Sequence, residues 1–138
     1  MSDAFALDLY TKLATVAALA NSAGFAVGGR PADPALTKIP LPAAWVLLGG
    51  DDPTDTEGGM VPAMQVLLVE YFVMLYVPYV SQDDLINVQF PLLRAARTAI
   101  HATDAPNGGR WLYQGQRLAG TNPDRLCYRQ RYAIRVPA

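Results

Sequence analysis

A chain of 138 residues can bury one independent core and needs no second domain, so residues 1–138 are read as a single domain. At 51% hydrophobic and 17% charged it is apolar for a small soluble protein, which leaves surface to cover against another subunit. The net charge of −1 argues against a free-standing nucleic-acid binder, and the single cysteine, Cys127, excludes an internal disulfide.

The first predicted element is a helix from Asp3 to Ala23, with Phe5, Leu9, Leu13, Val16 and Ala20 as its apolar stripe and Gly24 as its stop. Residues 25–42, dense in Gly and Pro, predict an irregular connection. A strand over Ala43 to Leu48 follows, and then a long acidic loop from Asp51 to Pro62. Met64 to Val77 is apolar at both parities, which predicts a strand covered on both faces, either central in the sheet or set against a neighbour. Glu70 in its middle needs a partner, and cross-strand pairing with Arg129 or Arg131 supplies one.

Ser81 to Asp84 reads as a helix cap opening a second helix that carries Leu85, Val88, Leu92, Ala96 and Ile100, with Pro91 as a kink or restart. Trp111 to Tyr113 and Gln116 to Leu118 flank Gln114-Gly115, a two-residue hairpin signal. The last strand sorts by parity from Arg125 to Val136. Cys127, Ala133 and four arginines, Arg125, Arg129, Arg131 and Arg135, take one face, and Leu126, Tyr128, Gln130, Tyr132, Ile134 and Val136 take the other. The order predicts an α+β fold, an antiparallel or mixed sheet of about four to five strands with two helices packed on one face.

Charge is segregated along the chain. Residues 1–93 hold three basic side chains against ten acidic ones, and residues 94–138 hold eight arginines against two acids. Opposite poles on one subunit suit head-to-tail self-association, with the acidic run Asp51, Asp52, Asp55 and Glu57 meeting the arginine strand; pairing of the same charges within one copy is the equal alternative.

Catalytic chemistry is sparse. His101 is the only histidine and ends a helix, Cys127 lies among arginines with no orienting third group, and the acidic run lacks the alternating ligand spacing of a calcium loop. Gly28-Gly29 and Gly49-Gly50 match no phosphate-binding fingerprint, and packing is the default role for the tyrosines. No enzyme, cofactor or metal site is expected. Val66 to Val80 contains Glu70 and Pro78 and falls short of the roughly 20 residues of a membrane span, and no leader is visible at the N-terminus.

The layout, with Pro-Ala-Ala-Trp-Val-Leu-Leu at 42–48, the long loop, the apolar strand ending near Tyr79, Leu-Leu-Arg-Ala-Ala-Arg-Thr-Ala-Ile at 92–100, and the closing Trp-Leu-Tyr-Gln-Gly and Tyr-Arg-Gln-Arg-Tyr strands, resembles the tail terminator proteins of long-tailed bacteriophages. The resemblance runs from Pro42 onward and is one of layout; the Gly/Pro segment at 25–42 is longer than it implies. It implies a virion protein, assembled in the host cytoplasm, that forms a hexameric ring on the finished tail tube. The ring stops polymerisation and offers a surface to the head connector. The implied partners are further copies of the chain, the tail tube protein, the head-tail connector protein and DNA passing through the lumen without sequence-specific contact. A head-tail connector or tail completion protein is an alternative within the virion, and a small phosphate- or nucleic-acid-binding protein using the arginine strand is an alternative of another class.

Overall fold

The computed structural model describes residues 3–20, 22–27, 30–31, 42–54, 66–78, 82–122 and 125–137. Helix α1 (Ala4–Ala14) is followed by strands β1 (Ala23–Val27), β2 (Arg30–Pro31), β3 (Ala43–Thr54) and β4 (Val66–Pro78). Helices α2 (Gln82–Asp84) and α3 (Phe90–Ile100) come next, joined by a π-helical turn at Leu85–Gln89, and β5 (Leu112–Asn122) and β6 (Arg125–Pro137) close the chain. The strands lie in the order β2-β1-β3-β4-β6-β5, five long enough to build the sheet and β2 only a two-residue addition outside β1. β1 runs parallel to β3 and the other pairs are antiparallel. This is the expected α+β class, with β4 central.

One side of the sheet carries the core. Leu9 and Leu13 of α1 and Leu92, Leu93, Ala96 and Ile100 of α3 bury against Val46, Val73, Leu75, Val77, Tyr132 and Ile134. The even residues of β6 and the odd residues of β4 point at the helices, as period-2 geometry requires. Polar groups fix how the helices sit. Asp3 caps α1 by accepting from the Phe5 and Ala6 amides and also accepts from the Tyr71 hydroxyl, at 2.8 Å to the nearer oxygen. Asp8 accepts from Lys12 and, at 2.8 Å, from the indole N–H of the fully buried Trp111. Lys12 Nζ also donates to the Asp104 carbonyl at 2.6 Å. Gln130, itself fully buried, donates to the Leu93 carbonyl and the Gln116 side chain and accepts from the Tyr132 hydroxyl.

The first predicted helix is too long. It stops at Ala14, Val16 turns to extended backbone, and a single 3-10 turn at Ala17–Leu19 buries Leu19. Gly24 lies inside β1, opposite Trp45, and is no helix stop. The Ser22 hydroxyl donates to the Pro42 carbonyl and the Ala44 amide donates to the Ser22 carbonyl, so pairing with β3 overrides the helical preference of the alanine-rich stretch. β1 and β2 also put regular structure into the segment expected to be irregular, whose residues 32–41 lie outside the described set.

The hairpin expected at Gln114-Gly115 does not form. β5 runs straight through with its register shifted between Tyr113 and Gly115, and Gly115 takes φ +128°. The glycine serves a bulge because β6 offers pairing partners on both sides of it. β3 likewise continues past Leu48 through a shift at Leu48/Gly50, which puts Asp51 to Thr54 into paired strand instead of the predicted loop. Pro91 sits in the first turn of α3, directly after the π-helical turn, which is the expected restart. The Ser81 cap lies outside the described residues.

Asp8→Ala leaves the buried Trp111 N–H without an acceptor and is expected to cost about 1–3 kcal/mol in urea unfolding. Burial, chiefly, pushes the hydroxyls of Tyr71 and Tyr132 well above the usual tyrosine range, with Asp3 adding to the effect at Tyr71. A raised folded-state pKa favours the protonated form, so this stabilisation is complete below the unfolded value of about 10 and is lost as pH rises beyond it. Urea midpoints should hold steady to about pH 9 and fall above about pH 10, and Tyr71→Phe should make that fall shallower.

Candidate functional site: the uncovered face of the sheet

The second face of the sheet has no described helix over it. Register lays its residues out in rows across β3, β4, β6 and β5. Ala43, Tyr76, Cys127 and Gly120 form the first row, Trp45, Met74, Arg129 and Arg117 the second, and Leu47, Phe72, Arg131 and Gly115 the third. The fourth is Gly50, Glu70, Ala133 and Leu112, and the fifth aligns Asp52, Leu68 and Arg135. In the second and third rows the β3 and β4 side is apolar and aromatic and the β6 and β5 side carries arginines, while Glu70 and Asp52 fall in the last two rows.

Trp45, Leu47, Leu68, Phe72, Met74 and Tyr76 are each half-buried, so among the described residues β4 is covered fully by helices on one face and only partly on the other. Trp45 and Tyr76 lie ring to ring at 4.5 Å, and the Arg129 guanidinium sits 4.6 Å from the Phe72 ring centre. Polar atoms are trapped here without partners. Trp45 Nε1, Arg129 Nε and Arg131 Nε are buried and have no hydrogen-bond acceptor among the described residues. Buried donors are normally satisfied, and three such donors on one face carry a desolvation cost within the copy.

The expected partner for Glu70 is not the one the register provides. Glu70 stands opposite Ala133 and Gly50, Arg131 stands opposite Phe72, and Arg129 opposite Met74. Among the described residues the ion pairs are Lys12 with Asp8 and Arg110 with Asp104, so Glu70 joins neither arginine. The shift of one row separates acid from base because pairing is fixed by the burial of Tyr71 and Val73 on the other face.

Of the predicted site residues, Arg129 and Arg131 come together, and Arg117 of β5 joins them, a residue that the hairpin reading left outside the site. Its signal was the parity it shares with Gly115 on a continuous strand. Arg135 is exposed and lies four residues further along β6, about 13 Å by strand rise. Arg125 occupies the opposite end of β6, paired through its backbone with Pro78 and Asn122. Asp51 and Asp52 stand opposite Val69 and Leu68 at the far end of β3, and Asp55 and Glu57 lie outside the described residues. A second cleft of about 200 Å³ between α3 and β5 is lined by Phe90, Arg94, Arg97 and Tyr113 among others, with Arg97 5.4 Å from the Tyr113 ring centre.

Cys127 belongs to this face but is only 7% exposed, and burial pushes its thiol up against a smaller opposing effect of the hydrogen bond with Tyr76. His101 ends α3, where its Nδ1 accepts from the Tyr113 amide at 3.2 Å. Among the described residues no group of three or more His, Cys, Asp and Glu side chains is placed to hold a metal ion, and no helix is long and apolar enough to cross a membrane. Compared with protein-family models and with curated protein sequences, the chain matches no family and no curated relative.

A raised thiol pKa and burial make Cys127 a poor nucleophile. A thiol reagent at pH 7 should modify the native chain at least about tenfold more slowly than the urea-unfolded chain.

Proposed function

We propose that this chain is a structural protein that works by binding copies of itself in a ring, and that the ring is the terminator of a phage tail. In this reading it caps the tail tube, ends tube polymerisation and presents a joining surface to the head connector, with DNA passing through the lumen and no catalytic step. It would reside at the head-proximal end of the tail. One observation carries the self-association: an apolar and aromatic sheet face with no helix over it among the described residues adjoins a cluster of arginines that form no ion pair among those residues, on a chain whose first 93 residues carry ten acids. Head-to-tail contacts between such subunits close into a ring when the rotation allows, and closure leaves no free end for further growth. The assignment to a tail rests on the resemblance of layout alone.

The clustering of Arg117, Arg129 and Arg131 favours a second reading, a phosphate-binding protein. Its affinity for duplex DNA would fall steeply with salt and by a similar step for each Arg→Ala change.

Multi-angle light scattering of the purified chain, alone and mixed with tail tubes, should show a closed oligomer, about six copies by the resemblance, under at least one condition. A monomer under both, with salt-sensitive DNA binding, would replace the ring with the second reading.

A further inference from the structure

We infer that the depression at the Gly115 bulge is an oxyanion pocket, and that a carboxylate from a second copy of this chain occupies it; the choice of a second copy rests on the self-association proposed above. The depression holds about 150 Å³ and is lined by Gln114, Gly115, Gln116, Arg117, Arg129 and Arg131. Three guanidiniums thus surround one hollow, with no ion pair to any of them among the described residues.

The hollow is built by the backbone. The register shift between Tyr113 and Gly115 sets extra chain against Arg131, and Gly115 accepts φ +128°, where a side chain is strained. Nothing stands within 4 Å of the place where its Cβ would be, so the space above the strand is open. Two of the arginines are held before any ligand arrives. Arg129 lies over the Phe72 ring, and the Nε atoms of Arg129 and Arg131 are already out of water and without acceptors. A carboxylate in the hollow accepts from the guanidinium N–H groups that line it and neutralises repulsion within the cluster.

A phosphate shares that chemistry. The observations favour a protein carboxylate, because the apolar rows of Phe72 and Met74 beside the pocket gain from burial under a protein surface and gain little under a sugar-phosphate backbone. The acid-rich half of a second copy is complementary in charge, and its densest acidic run spans residues 51–57.

The test is calorimetric titration of the whole chain with three probes: a synthetic peptide of residues 50–58, inorganic phosphate and a short duplex DNA. The peptide should bind, and Arg131→Gln should weaken it at least about tenfold while melting temperature and the response of the control Arg110→Gln stay unchanged. Arg131→Lys should recover only part of the loss, since an ammonium cannot reproduce the guanidinium fork. Peptide affinity indifferent to both Arg131→Gln and Arg117→Gln overturns the pocket, as does binding of phosphate or DNA without binding of the peptide. Light scattering on the same samples separates this from the ring. Assembly that persists while the peptide ignores the arginines removes the pocket alone, and Arg131-dependent peptide binding by a chain that never assembles upholds the pocket and removes the ring.

Discussion

A sheet has two faces, and the described helices of this chain cover one. α1 and α3 bury Tyr132, Ile134, Val73 and Leu75 completely, while Trp45, Phe72, Met74 and Tyr76 on the reverse are only partly buried, beside a block of arginines. The asymmetry is enforced by register. A strand cannot slide to hide its second face without exposing the first, so the fold commits those rings and guanidiniums outward.

Electrostatics sharpens the same division. Within a copy, the acids that are placed serve the architecture, Asp3 as cap and acceptor for Tyr71, Asp8 as acceptor for Lys12 and Trp111. Glu70 is held one row away from the arginines it was expected to neutralise. The arginine block therefore faces outward with its charge uncompensated among the described residues, which is a costly arrangement for a subunit that stays alone and a useful one for a subunit that docks.

What the sequence disclosed and what it hid follow from the range of the forces involved. The parity of Arg125 to Val136 and the spacing of Phe5, Leu9 and Leu13 are local patterns, and both survive in the structure as β6 and α1. β1 was invisible because Ala23 to Val27 has no strand pattern of its own and becomes a strand only through its parallel partner in β3. Gln114-Gly115 looks like a turn locally, yet a continuous partner strand turns it into a bulge, and that one change moves Arg117 into the site. The continuation of β3 through Asp51 and Asp52 depends in the same way on pairing with Leu68 and Val69, which lie across a long separation in sequence. The apolar content of β4 at both parities fits its central place in the sheet, between β3 and β6.

Trp111 is fully buried and Trp45 only half-buried on the face that no described helix covers, so the two tryptophans form a built-in reporter. Acrylamide quenching of the native chain, followed across protein concentration and in the presence of tail tubes, reads Trp45 almost alone. Docking over the face requires the quenchable fraction to fall and level off as assembly proceeds. A fraction that stays constant while light scattering reports assembly would contradict it, because the contact surface would then lie elsewhere on the molecule.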